Sequence, residues 1–360
     1  MKEKLVHFLR RETVLCAAFA LAIVSMLFVP PDREYISYVD FRTLSILFCL
    51  MSVMTGLQKS GVFQCVGQAL LRRLRKVWQL VLLLVLICFF SSMLVTNDVA
   101  LITFVPFTLI VFDMIGPETK LRLIIPTVVL QTIAANLGSM LTPIGNPQNL
   151  YLYGRSGLSL RDFILLMLPY TLASFLVILI WSIVQSMACP GAVHVSFDGN
   201  ASITGSRGHL IVYGLLFVLD LLTVARVIPC CVTFGVTAIS LLLMDKRVFF
   251  LIDYSLLLTF TGFFIFIGNL RRLPAFSQAL RQIVSGHEVL AGIAASQIIS
   301  NVPAALLLSG FTENLSALTI GVNLGGLGTL IASMASLISY KIVVRAERQR
   351  KRAYFWYFTA

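Results

Sequence analysis

Residues 135–150 read Ala135-Asn136-Leu137-Gly138-Ser139-Met140-Leu141-Thr142-Pro143-Ile144-Gly145-Asn146-Pro147-Gln148-Asn149-Leu150, within an apolar segment that covers 123–153. About 20 residues at about 1.5 Å each span the hydrocarbon of a bilayer, so a segment of roughly 30 cannot be one straight crossing. Pro143 and Pro147 remove backbone donors, Gly145 frees φ, and Asn136, Thr142, Asn146 and Asn149 bring amides and a hydroxyl to membrane depth. Lipid cannot satisfy such groups. Irregular backbone is tolerated there only where it is buried in protein or lines a cavity, so the stretch reads as a broken helix that builds a binding site.

The rest of the chain supplies the membrane class. Its 360 residues are 58% hydrophobic and 12% charged, with a mean hydropathy of +0.91, as expected of a polytopic helical membrane protein. A formal charge of +12 would suggest nucleic acid in a soluble protein. Here Lys and Arg sit in short clusters between spans, where they set topology and meet the headgroups of the lipid bilayer, and no nucleic-acid partner is expected. The seven cysteines contain no Cys-x-x-Cys, so neither disulfides nor a metal is expected. Lys2, Lys4, Arg10 and Arg11 precede an apolar run without a small-x-small cleavage site, which reads as an uncleaved first span with a cytoplasmic N-terminus.

The expected fold is an all-α membrane protein of about eight transmembrane helices plus two re-entrant hairpins in an inverted repeat, with two broken helices. The first repeat covers 1–189, with hairpin 78–115 and broken helix 122–153. The run 78–115 is either two crossings or a re-entrant hairpin with its tip at Thr96-Asn97-Asp98; basic residues at both ends favour the hairpin. Residues 190–208 read as a cytoplasmic linker. A linker span and the second repeat fill 209–360, with hairpin 288–312, broken helix 315–341 and a basic, cytoplasmic C-terminus.

The halves align motif by motif. Asp40-Phe41 matches Asp253-Tyr254, Thr96-Asn97 matches Ser300-Asn301, Asn136-Leu137-Gly138 matches Asn323-Leu324-Gly325, and 142–150 matches 329–337 at the same offset. Inverted repeats with breaks at corresponding positions point to a secondary transporter with a midplane site. The candidate site residues are Thr96, Asn97, Asp98, Asn136, Gly138, Thr142, Gly145, Asn146 and Asn149 from the first repeat, and Ser300, Asn301, Asn323, Gly325 and Thr329 from the second. Half-helix N-termini suit a small anion, and unwound carbonyls near Gly138, Gly145 and Gly325, with Asn97 and Asn301, suit sodium. No organic cofactor is expected; sodium or a proton is the expected coupling ion. Asp98 is the acidic residue at the tips, placed to carry that proton or to assist a cation.

Thr96-Asn97-Asp98 with Ser300-Asn301-Val302-Pro303, together with the stretch from Thr142 to Asn149, resembles the ion transporter superfamily of citrate transporters, divalent anion/sodium symporters and arsenite permeases. It is most similar to small uncharacterised bacterial inner-membrane permeases of the citrate-transporter type, over about 43–341. The resemblance implies a homodimer in the cell inner membrane, with an elevator-like transport domain that moves a small inorganic or carboxylate anion by alternating access. It also implies that paired Ser-Asn-Thr tips hold substrate carboxylate and sodium. Thr-Asn-Asp departs from that pattern, since an Asp repels a dianion unless protonated or cation-paired; arsenite-type efflux or cation/proton antiport is the alternative. Such proteins usually continue past the second broken helix into a further span, where this chain has the aromatic stretch 354–358; either the sequence is truncated or the stretch lies at the membrane interface.

Two other features are weighed. Asp220 is expected to snorkel or pair with Arg226. Gly154-Arg155-Ser156-Gly157 matches the Gly-x-Ser-Gly of intramembrane serine proteases, but no histidine lies mid-span to serve Ser156, so a transporter and not an enzyme is expected.

Overall fold

The computed structural model describes residues 12–71, 74–187 and 206–359; most of the linker expected at 190–208, and the basic N-terminal flank, lie outside the described residues. Within them the chain is all helix and turn, and seven helices are long and apolar enough to cross a membrane. The protein is a multi-pass membrane protein. The first half contains α1 Thr13–Met26, α2 Tyr35–Tyr38, α3 Phe41–Lys59, α4 Val62–Leu71, α5 Val77–Val95, α6 Asn97–Ile115, α7 Pro117–Ser139, α8 Pro147–Ser156 and α9 Leu160–Met187. The second contains α10 Arg207–Val224, α11 Cys230–Met244, α12 Lys246–Phe249, α13 Tyr254–Arg271, α14 Pro274–Val284, α15 Glu288–Ile299, α16 Asn301–Leu308, α17 Leu315–Leu324, α18 Met334–Ala346 and α19 Lys351–Thr359.

Local chemistry sets the ends of these helices. Asp40 accepts the Thr43 N–H at 3.0 Å to start α3, and Asp253 accepts the Leu256 N–H at 3.2 Å to start α13, with nearly the same backbone angles. Lys59, at the end of α3, pairs with Asp245 ahead of α13 at 2.6 Å, and Arg272, just past α13, pairs with Asp32 ahead of α3 at 2.5 Å. The matched helices α3 and α13 therefore run antiparallel. Exposed pairs of this kind contribute little energy, but they mark which ends share a face.

The two halves interlock around the broken helices. In the first half α5 and α6 pack on α7; in the second, α15 and α16 pack on α17. The short α8 leaves the first half to lie against α16 and α17, while α18 crosses back onto α6 and α7. Close approach depends on small residues: a Cβ on Gly138 would lie 2.1 Å from the Phe89 carbonyl oxygen of α5.

One expectation fails here. Asp220 neither snorkels nor pairs: it is fully buried, with both carboxylate oxygens unpartnered, because it shares with Tyr213 and Leu216 the face of α10 that packs on α3. Arg226 instead donates to the Tyr153 carbonyl at 3.1 Å and lies over the Tyr153 ring. The aromatic stretch 354–358 belongs to α19, which buries Tyr354 and Phe358 while Phe355, Trp356 and Tyr357 stay exposed.

Candidate functional site

Each hairpin turns on a single residue. Thr96 sits at φ 72°, ψ 149° between α5 and α6, and Ser300 at φ 76°, ψ 155° between α15 and α16. That region is almost confined to glycine, costs about 1–3 kcal/mol for a residue with a Cβ, and persists only where the surroundings enforce it. The enforcing contacts match. The Asn97 N–H donates to the Gly145 carbonyl at 3.0 Å, and the Asn301 N–H donates to the Ala332 carbonyl at 2.9 Å, so each tip is pinned to the break of its own repeat. Both asparagine side chains then turn back, Asn97 Oδ1 accepting from the Asp98 N–H and Asn301 Oδ1 from the Val302 N–H.

The breaks are built by different residues. In the first, Asn146 caps α8 by accepting the Asn149 N–H at 2.9 Å, Pro147 opens that helix, and Asn149 Nδ2 faces the carbonyls of Ser139, Met140 and Thr142 at 3.2–3.4 Å. The Ser139 and Met140 carbonyls have lost their helical donors and Thr142 keeps only the Gly145 N–H, so the two hydrogens of this amide are shared among the three. Gly145 is obligatory there, because a Cβ would lie 2.0 Å from the Ser139 carbonyl oxygen. In the second break Gln297 Nε2 takes that part, donating to the carbonyls of Gly325 at 2.7 Å and Leu327 at 2.6 Å. Thr142 and Thr329 then act alike, donating to the carbonyls of Met93 and Gln297 in the adjacent hairpin arms.

A crossed amide network joins the two breaks. Asn136 Oδ1 accepts from Asn97 Nδ2 at 3.1 Å and Ser333 Oγ at 2.8 Å, and its Nδ2 donates to Ser336 Oγ and the Thr132 carbonyl. Asn323 Oδ1 accepts from Asn146 Nδ2 at 3.0 Å, and its Nδ2 donates to Asn149 Oδ1 at 2.6 Å and the Thr319 carbonyl. Each repeat's asparagine thus holds the first turn of the other repeat's second half-helix. The N-termini of α6, α8 and α18 begin at this network and bring partial positive charge to it, while α16 begins at Asn301, whose N–H is held by the Ala332 carbonyl just ahead of α18.

Every candidate site residue named from the sequence lies at a tip, a break or this network. A cavity of about 190 Å³ reaches it, lined by Thr96, Asp98, Asn146, Gln58 and Asp253 among others, with no Lys or Arg among the described residues. Asp98 Oδ1 is shielded from solvent and has no hydrogen-bond partner. Ser300 and Asn301 are buried beyond the cavity lining. The Gly145 and Gly325 carbonyls expected to face sodium each accept a protein N–H, which leaves one lone pair apiece for a cation. Ser156 donates to the Tyr153 carbonyl and closes the last turn of α8.

Sequence reasoning missed Ser333, Ser336 and Gln297. The first two stand at the repeat offset from Asn146 and Asn149, so the alignment already held the signal. It also missed Thr132, Ser339 and Tyr354, whose three hydroxyls lie within 2.6–3.1 Å of one another behind Asn136.

The citrate transporter family profile matches residues 3–336. The chain is 31% identical over 320 residues to inner membrane protein YbiR of Escherichia coli, covering 88% of this chain and 83% of that protein. It is 33% identical over 313 residues to uncharacterized transporter MJ0456 of Methanocaldococcus jannaschii, covering 86% and 83%. Over 167 residues, 45% of this chain and 33% of the other, it is 30% identical to silicon efflux transporter LSI3 of Oryza sativa subsp. japonica. With paired broken helices, pinned tips and a profile match over most of its length, the chain belongs to the citrate transporter family.

Proposed function

We propose that the protein is a secondary active transporter that moves a small anion, inorganic or carboxylate, across the cell inner membrane by alternating access, as a homodimer with the Lys59 face toward the cytoplasm. The observation that carries this reading is the convergence of the α6, α8 and α18 N-termini on one buried network, with each asparagine tip pinned to the break of its own repeat. Neutral amides and partial positive charge bind an anion without the desolvation cost of a buried full charge.

One observation favours a second reading. The cavity that reaches the first tip carries the Asp98 carboxyl and, among the described residues, no basic side chain, which suits a cation, a proton or an uncharged species better than a dianion. Efflux of the kind named for the silicon transporter, or cation/proton antiport, would use such a lining. A thermal-shift screen of purified protein against citrate, dicarboxylates, sulfate, arsenite, sodium and lithium decides between them, since a site ligand stabilises by mass action. Stabilisation by an anion, lost in Asn97→Ala and Asn301→Ala, supports the first reading; stabilisation by cations alone supports the second.

A further inference from the structure

The C-terminal helix α19 has two faces of different character. Its inner face is locked to the transport core: the Tyr354 hydroxyl is 3.1 Å from Thr132 Oγ1 and 3.0 Å from Ser339 Oγ, on α7 and α18 respectively. Thr132 lies one helical turn before Asn136, and Ser339 lies on the same helix as Ser336, so α19 touches both broken helices directly behind the crossed network. Its outer face is apolar and basic. Trp356 is 67% exposed, with Phe355 and Tyr357 beside it. Arg345, Arg348, Lys351 and Arg352 are exposed just ahead of these rings, and none has a carboxylate partner among the described residues. By contrast, nearby Lys120 is held by Asp113 and Glu347, and Arg350 donates to the Leu121 carbonyl.

We propose that residues 345–357 form a docking surface for anionic phospholipid. Unpaired guanidinium and ammonium groups beside exposed aromatic rings match a charged headgroup layer lying over apolar chains, and the charge selects anionic over zwitterionic lipid. Because the inner face of α19 is bonded to both broken helices, lipid held at the outer face tethers the core to the leaflet.

The test uses Trp356 as its own probe. In the full chain carrying Trp78→Phe and Trp181→Phe, Trp356 is the remaining tryptophan. This protein is reconstituted in vesicles where either phosphatidylglycerol or an equal fraction of phosphatidylcholine carries brominated chains. Quenching by the brominated anionic lipid should exceed that by the zwitterionic one more than about twofold, and the preference should vanish at high salt and in Arg348→Gln/Lys351→Gln/Arg352→Gln. Equal quenching by the two lipids would overturn the proposal, as would a preference that survives neutralisation of the charges. Should the triple variant fail to reconstitute, the salt titration of the parent decides on its own.

Discussion

At the first tip Thr96 sits at (72°, 149°) ahead of Asn97 and Asp98; at the second, Ser300 sits at (76°, 155°) ahead of Asn301 and Val302. The backbones coincide and the side chains do not. Asn97 Nδ2 reaches Asn136 at 3.1 Å, whereas Asn301 Nδ2 donates to no group among the described residues and its Oδ1 accepts only from its neighbours Val302 N–H and Ser300 Oγ. Asp98 faces a cavity where Val302 is buried in the core. The first break is stopped by two prolines and an asparagine cap, the second by Gly325, Gly326 and Gly328 with a glutamine reaching in from its hairpin. The arms differ too: 19 and 19 residues in the first hairpin, 12 and 8 in the second, or about 28 Å against about 18 Å at the longest. A duplicated scaffold keeps its main-chain solution while its side chains specialise, and the specialised half is the first.

The largest expected effect lies at Asp98. Asp98→Asn should abolish the response to an imposed proton gradient and flatten the pH dependence of substrate movement, with equilibrium exchange intact, when measured in proteoliposomes. Weakened sodium affinity with an unchanged pH profile would instead make Asp98 part of a cation site, and wild-type responses to both gradients would leave it a helix cap. Glycine substitutions sharpen the comparison of the breaks. Gly138→Ala drives a Cβ into the Phe89 carbonyl, while at Gly325 the nearest atoms, Cα of Ile293 and Cβ of Ser296, are 2.8 Å away. Losses of about 3 kcal/mol and about 1–2 kcal/mol are expected in thermal denaturation, and the reverse order would show that the second break is the more tightly built.

The tip asparagines should separate stability from binding. Asn97→Ala should cost about 1 kcal/mol through its lost bond to Asn136, and Asn301→Ala only a few tenths, yet both should abolish ligand-induced stabilisation. A variant that still binds would remove its residue from the site. Smallest is the surface pair Lys59–Asp245, whose lysine holds the Asp245 carboxyl below its ordinary range. A depressed carboxyl stabilises the fold above its unfolded pKa and loses that contribution as pH falls through the folded value. Lys59→Met should therefore lower stability by less than about 1 kcal/mol at neutral pH, and the difference should fade below about pH 4.

The sequence showed the site through its helix breakers. Proline, glycine and asparagine in an apolar run have few explanations at membrane depth, and their recurrence in the same order in both halves identified Thr96, Asn97, Asn136, Ser300, Asn301 and Asn323 together. The crossed bonds were harder to see, because Ser333 and Ser336 are residue types that usually bond their own helix backbone. Only the fold shows that their partner is Asn136, about 200 positions away. Asp220 was misjudged for a related reason: distance from a helix end says nothing about which face packs inward. Tyr354 was read from its aromatic neighbours, when its hydroxyl had a buried destination.

The crossed network also sets an order of assembly. The bond from Asn97 to the Gly145 carbonyl lies within the first repeat and can form as soon as 147–156 has been made. The partners of Asn136 and Asn146 on the other side, Ser333 and Asn323, lie 197 and 177 positions from them in sequence. A chain synthesised from its N-terminus must hold these two amides in the membrane without their final partners until the second half is inserted. Biogenesis of this protein therefore passes through a half-built state whose exposed polar seam is complementary only to the segment still to come.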